Sequence, residues 1–280
     1  MTAGSRSFAC STGPIPPGAT ERGTPMPDIR SRVSEAEWEA RVNLAAVFRL
    51  AAKHDLSDLA LTHFSARVPD EPDRFLLNPY GLMFEEMTAS SLVKTDREGT
   101  DPLETGSPLN AVGIMLHSAV LDARPDVACT AHTHTVQGMA LSSLDVELLP
   151  ASQTALAFHG RTGYHDWESG ETELDERQRI ARDIGPNGRA LVLKNHGLLA
   201  AGPSIPSTWM LLHALERACA SQLDAMAAAH ASGNGLDMPP AEVCERTARQ
   251  FDEFLARPGR DDDWSAYLEL LDRDDPTYRE

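Results

Sequence analysis

Apolar residues recur along this chain with two periods, and the switches between them predict its elements. The first 29 residues are rich in Gly, Pro, Ser and Thr and read as a disordered leader. Leu44, Val47, Phe48 and Ala51 then follow the i, i+3, i+4, i+7 spacing of one helical face. Ser34, with Glu37 three residues on, predicts a capping box at the start of this helix, which is expected to end near Lys53 and His54. Short strands are expected over 59–68, 75–78 and 92–96, separated by turn clusters. Ser107-Pro108 is expected to open the next helix, because proline suits the first helical position. Leu109, Val112, Leu116, Ala119 and Val120 supply its buried stripe, and Arg124-Pro125-Asp126 stops it.

The short apolar run 127–134 predicts a buried strand, with a short helix after it to about Leu141. Short strands and loops are expected from Glu147 to Trp167. A polar helix over 173–184 follows, ended by Gly185-Pro186-Asn187-Gly188. Strands over 189–195 and 197–202 lead into a long helix over 204–230, broken by Gly233-Asn234-Gly235. A last helix is expected over 240–256. The run Asp261-Asp262-Asp263 reads as a solvated linker, with Trp264, Tyr267 and Leu268 packing beyond it. This alternation predicts a layered α/β domain over residues 30–280, with no internal repeat.

Composition narrows what such a domain does. The chain has 280 residues, 41% of them hydrophobic, enough for a substantial core. Its formal net charge of −17 repels phosphate backbones and anionic lipid, so neither nucleic acid nor a membrane is an expected partner. The absence of a long apolar run argues against a transmembrane helix or a secretory signal. Cys10, Cys129, Cys219 and Cys244 form no CxxC pair and read as reduced thiols, which points to the cytoplasm.

The candidate chemistry lies in histidine. His132 and His134 end one apolar run, and His196 closes another. Side chains at i and i+2 of a strand point the same way, so two imidazoles can face one point and His196 can complete the face. Three neutral imidazoles with open positions describe a divalent metal site of the Fe2+ or Zn2+ kind. By spacing alone His-x-His is a weak signal. Its place at a strand end, and Gly197 after His196, where glycine permits close approach of another group, strengthen it.

These residues carry a resemblance. PLNAVGIMLHSAVLDARPDVACTAHTHT (108–135) resembles the central signature of the class II aldolase/adducin family, and ALVLKNHGLLAAG (190–202) its third-ligand segment. HFSARVP, FLLNPYG, GYHDWE and the tail WSAYLELLDRDDPTYR match the same pattern. The resemblance implies a three-layer α/β/α fold around a mainly antiparallel sheet, often a homotetramer. It also implies that His132, His134 and His196 bind the metal.

The departures from the pattern matter as much. The sugar-phosphate aldolases of the family carry a Ser-Ser-Glu motif whose Glu lies four residues ahead of a helix histidine. Here that histidine is His117, and the motif falls on Ala111-Val112-Gly113, without a carboxylate. The family's Gly-Asn phosphate loop falls on Thr62-His63, and only Asn78-Pro79-Tyr80-Gly81 keeps something of the second phosphate turn. The chain therefore resembles the adducin-like branch, and it is compatible with family members of aminocoumarin biosynthesis associated with non-heme iron decarboxylation.

The expected activity is metal-dependent carbon–carbon cleavage, by decarboxylation or oxidative decarboxylation of a non-phosphorylated 2-oxo or hydroxy acid. A Zn2+-dependent retro-aldol lyase and a non-catalytic adducin-like scaffold stand as alternatives. His165 and Tyr164 are the candidate catalytic residues, since a ring at the rim can donate a proton. His63, Gly113, Asn78 and Gly81 are candidate substrate contacts. Arg67 and Lys194 are candidate anion partners, and His117 is expected to be structural.

Overall fold

A computed structural model describes residues 28–168, 174–257 and 261–280. Of the expected leader, only Asp28 and Ile29 fall within it, and Ile29 is buried. Helix α1 (Glu35–Lys53) starts where the sequence placed it, with the Ser34 hydroxyl accepting from Glu37 N–H at 3.1 Å. The capping box is only half formed. Glu37 turns inward instead, to Arg41 at 2.9 Å and Lys94 at 2.7 Å, and all three side chains are buried. Two cations sharing one carboxylate offset the cost of burying it, a stronger pull than the N-cap amide.

The described residues form a seven-stranded sheet in the order β3-β2-β1-β4-β7-β6-β5. Its strands are β1 (His63–Val68), β2 (Glu71–Leu77), β3 (Val93–Thr95), β4 (Cys129–Thr133), β5 (Thr162–His165), β6 (Ala190–Leu193) and β7 (Gly197–Gly202). Every pairing is antiparallel except β5 with β6, so the sheet is mixed and mainly antiparallel.

Helices cover both faces. α1 and α6 (Ile205–Ser232) bury Phe48, Leu212 and Leu215 with Phe64, Ala131 and Leu198 of the sheet. On the other face α2 (Ala111–Ala123) and α5 (Leu174–Ile184) bury Leu116, Val120 and Ile180 with Leu77, Leu191 and Leu199. Alternate strand residues supply the two cores, as a two-sided sheet requires. Among the described residues no helix is long and apolar enough to cross a membrane. Cys129, Cys219 and Cys244 are buried free thiols, and burial pushes Cys129 up to about 12.

Several boundaries differ from expectation. The first strand is four residues shorter than predicted, because 59–61 form a turn before it. α2 begins at Ala111, not at Ser107-Pro108, because the Asn110 side chain accepts from both Val112 and Gly113 N–H and caps it. Leu109 and Val112 are accordingly only partly buried. Between α3 (Val136–Ser142) and β5 the chain makes one short helix, α4 (Gln153–Leu156). After α7 (Ala241–Leu255), the segment read as a linker begins a further helix, α8 (Asp261–Asp274). Trp264 on it is buried and donates to Asn43 of α1, so tertiary packing makes a helix where the acidic run suggested solvent.

Candidate metal centre

Antiparallel pairing brings the C-terminal end of β4 to the N-terminal ends of β1 and β7. The three metal candidates therefore share one end of the sheet. His132 lies in β4, His134 one residue past its last position, and His196 in the turn before β7. Their Nε2 atoms converge. His132 and His134 are 2.9 Å apart, as are His134 and His196.

The outer nitrogens explain this orientation. His132 Nδ1–H donates to Leu198 O at 2.8 Å, and His134 Nδ1–H donates to the Asp58 carboxylate at 3.1 Å. Each bond fixes the tautomer that turns an Nε2 lone pair inward. Burial, then the neighbouring imidazoles, holds His132 well below the ordinary histidine range. Burial and then His134 lower His196 to about 4. Neutral imidazoles with facing lone pairs repel one another without a proton or cation between them. The donor set fits a divalent transition metal.

Two local features hold the ligands. A Cβ at Gly197 would lie 2.3 Å from Thr133 O, so the close approach of β4 that seats His196 requires glycine. Thr133 and Thr135 flank His134, and both hydroxyls donate to the buried Glu216 of α6. Glu216 and Asp58 carry no sequence signal, because each reaches the site from a distant segment. The pattern Thr133-His134-Thr135 was the one visible hint of a polar partner behind the strand.

His63 takes the space that the missing Glu leaves. It pairs with His132 across β1 and β4, and the two rings lie 4.9 Å apart. A Cβ at Gly113 would be 3.1 Å from the His63 ring, so this glycine makes room for an imidazole. His63 Nδ1 meets His117 Nε2 at 2.8 Å, His117 Nδ1 meets Thr130 Oγ1 at 2.6 Å, and Thr130 meets Ser65 Oγ at 2.8 Å. Burial holds His63 well below its ordinary value and lowers His117 to about 3. The structural role expected for His117 thus takes the form of orienting His63. The space beside Gly113, a candidate substrate contact, is filled by the His63 ring.

The other candidates divide. Asn78 accepts from Phe64 N–H and donates to Thr62 O, both at 3.4 Å, and so braces the backbone on either side of His63. Gly81 lies further out in an exposed turn with φ +94°. His165 opens on a small cavity of about 170 Å³ that also touches His196, Trp167 and Lys194. Tyr164 points to the opposite face of the sheet, where its hydroxyl accepts from Leu148 N–H at 2.7 Å, and the structure does not bring it to this cavity. Arg67 is half-buried and taken up by the carbonyls of Val127, Pro72, Leu121 and Arg124, so it is not a free anion partner. Trp167, 54% exposed, stands edge-on to His196 at 5.1 Å.

The sequence and the fold are similar to those of known proteins. A family model described as Class II Aldolase and Adducin N-terminal domain matches residues 42–223. A putative aldolase class 2 protein of Caulobacter vibrioides is 39% identical over 91% of this chain and 97% of its own length. Rat alpha-adducin is 38% identical over 78% of this chain but only 30% of its own length. The crystal structure of an aldolase II superfamily protein from Pseudomonas syringae is similar at a TM-score of 0.81, with 44% identity over 90% of this chain and 99% of that one.

Proposed function

The chain belongs to the class II aldolase/adducin family, and from that premise we propose that it is a divalent-metal-dependent lyase that removes CO2 from a non-phosphorylated 2-oxo or hydroxy acid. The observation that carries this reading is the convergence of the His132, His134 and His196 Nε2 atoms, next to a His63 ring packed on Gly113, the position that the family resemblance aligns with the aldolases' catalytic carboxylate. A metal bound by those three imidazoles supplies Lewis-acid polarisation of a carbonyl oxygen. With Fe2+ bound, the oxidative form of the same reaction is the reading; with Zn2+, the non-oxidative form.

The chain's own residues suit decarboxylation better than aldol chemistry. Loss of CO2 needs no carboxylate base to begin, but it needs a proton delivered at the end. His63 Nε2 can supply it. If Thr130 donates to His117 Nδ1, then His117 Nε2–H donates to His63 Nδ1, and the proton of His63 rests on Nε2. Reversing the chain of hydrogen bonds leaves Nε2 as an acceptor. Lys194, half-exposed at the cavity beside His196, offers one positive charge, suited to a carboxylate more than to a phosphate dianion. Trp167 and Met115 wall the same cavity and limit water.

The likeness to rat alpha-adducin favours a second reading, a binding scaffold without catalysis. Assembly as a homotetramer in the cytoplasm belongs to the enzymatic proposal. Leu59 and Leu61, just after Asp58, and Val136 and Met139, just after His134, are exposed apolar residues that suit a subunit contact.

The test is anaerobic purification, metal analysis, and measurement of CO2 release and oxygen uptake against a panel of 2-oxo and hydroxy acids. Bound metal with substrate-dependent CO2 release is expected, with oxygen uptake if the metal is iron. Aldehyde release without CO2 would replace decarboxylation by retro-aldol cleavage. A protein that takes up no metal on reconstitution is a scaffold.

A further inference from the structure

A second group of donors lies across the cavity from His196. His165 of β5, Glu168 just beyond it and Glu176 of α5 each turn one ligand atom toward a common point, all within 4.8 Å of one another. His165 is 4% exposed, and its Nδ1–H donates to Asp183 at 2.8 Å. That bond leaves Nε2 facing Glu168 Oε1 and Glu176 Oε1, each 4.0 Å away. Both distances are too long for a hydrogen bond, and the buried Nε2 has no partner. An unsatisfied buried nitrogen is costly, and its alignment toward two carboxylates calls for something between them.

We propose that His165, Glu168 and Glu176 form a second divalent-metal site, distinct from the three-histidine centre. Three donors within 4.8 Å of one another leave a central point only about 0.2–0.4 Å further from each than a metal–ligand bond of roughly 2.1 Å, so a small side-chain shift seats a single ion. One imidazole with two carboxylates selects a first-row ion such as Zn2+ or Mn2+ over Ca2+ or Mg2+, which prefer all-oxygen shells. Asp183 on Nδ1 gives the carboxylate–histidine–metal arrangement that fixes a ligand ring.

The surrounding charge agrees. Glu168, Glu176 and Asp183 bring three negative charges. Arg179 pairs with Glu168 at 2.7 Å, and Arg182, on the surface, pairs with Asp183. Arg179 donates to both Glu168 oxygens, Oε1 included, and the carboxylate's about four lone-pair directions leave further ones for an ion. The site opens on the cavity that His196 also lines, so an ion here would present an open position to an anionic end of whatever occupies that space. It does not depend on the chemistry proposed for the first centre.

The test is zinc stoichiometry on the full chain, stripped with chelator and titrated calorimetrically, with Mn2+ electron paramagnetic resonance as a second probe. Wild type should take up two ions per chain. Glu176→Gln, which keeps shape and burial, should lose one and keep the other. A His132→Ala/His196→Ala double variant should also keep one, and its Mn2+ signal should vanish when Glu176→Gln is added. Circular dichroism confirms folding of each variant. Equal uptake by wild type and Glu176→Gln would overturn the second site, as would a single wild-type ion lost with His132 and His196. A single ion lost only in Glu176→Gln would uphold the second site and remove the first.

Discussion

Two histidine groups lie side by side at one end of the sheet and solve opposite problems. In the His132–His134–His196 group the assigned Nδ1 bonds face outward, and the Nε2 atoms are left facing one another. In the His63–His117 pair the bonds run inward, ring to ring and on to Thr130, so only His63 Nε2 is left open. Burial keeps His132 and His196 neutral in the first group, and His63 and His117 in the second. The difference is where the lone pairs go. A buried imidazole whose nitrogens are engaged by the protein holds or passes a proton, whereas one with its Nε2 aimed at two others awaits a cation.

The sharpest way to break this contrast is His132→Ala. It should abolish metal binding at the three-histidine centre while leaving the fold largely intact. Retention of wild-type affinity at that centre would take His132 out of it. His117→Ala should leave metal content unchanged and lower turnover about 10²–10⁴-fold, the usual worth of a positioned proton donor. It should also destabilise the fold by about 1–3 kcal/mol, because His63 Nδ1 and Thr130 lose a buried partner. Denaturation curves and metal analysis together separate these effects; a His117→Ala protein that loses metal would merge the two groups into one.

Asp58→Ala removes the acceptor behind His134 and should weaken metal affinity about 10–100-fold, the usual cost of losing such a partner. A competition titration against a chelator reads it, and an unchanged affinity would mean that Asp58 does not orient the ring. Gly113→Ala puts a methyl group against the His63 ring and should cost about 1–3 kcal/mol by overpacking, with metal uptake retained. Metal loss on that change would instead place His63 among the ligands.

The smallest effect is the pH dependence of metal-free stability. His117 falls from 6.5 to about 3 on folding, so the unfolded chain binds the proton first. Stability should be complete above 6.5 and decline as pH falls through the window from 6.5 toward 3. Urea midpoints at pH 7.5, 6 and 5 should fall in that order, and His117→Ala should flatten the slope. A midpoint unchanged across that range would contradict the buried neutral state.

Much of the fold was legible locally. Ser34, the i, i+3, i+4 stripe of α1 and the glycines after α5 and α6 marked real boundaries, because caps and periodicity act within a few residues. The failures share one cause. Glu37 left its capping box for Arg41 and Lys94, and the acidic run before Trp264 became part of α8. In both cases a partner distant in sequence outcompeted the local preference. Tyr164 and His165 looked alike as neighbours, and the strand's period of two sent them to opposite faces.

The sequence alone determined the candidate ligands and their spacing: His132-x-His134 at a strand end, His196 before a glycine, and no carboxylate at Gly113. The tertiary structure decided what stands where that carboxylate is missing. The register of β1 against β4 sets His63 beside His132, and α2 packs Gly113 against its ring. Register is fixed by the whole buried face of a sheet, not by any short pattern, so a contact across 69 positions of chain is invisible until the strands pair.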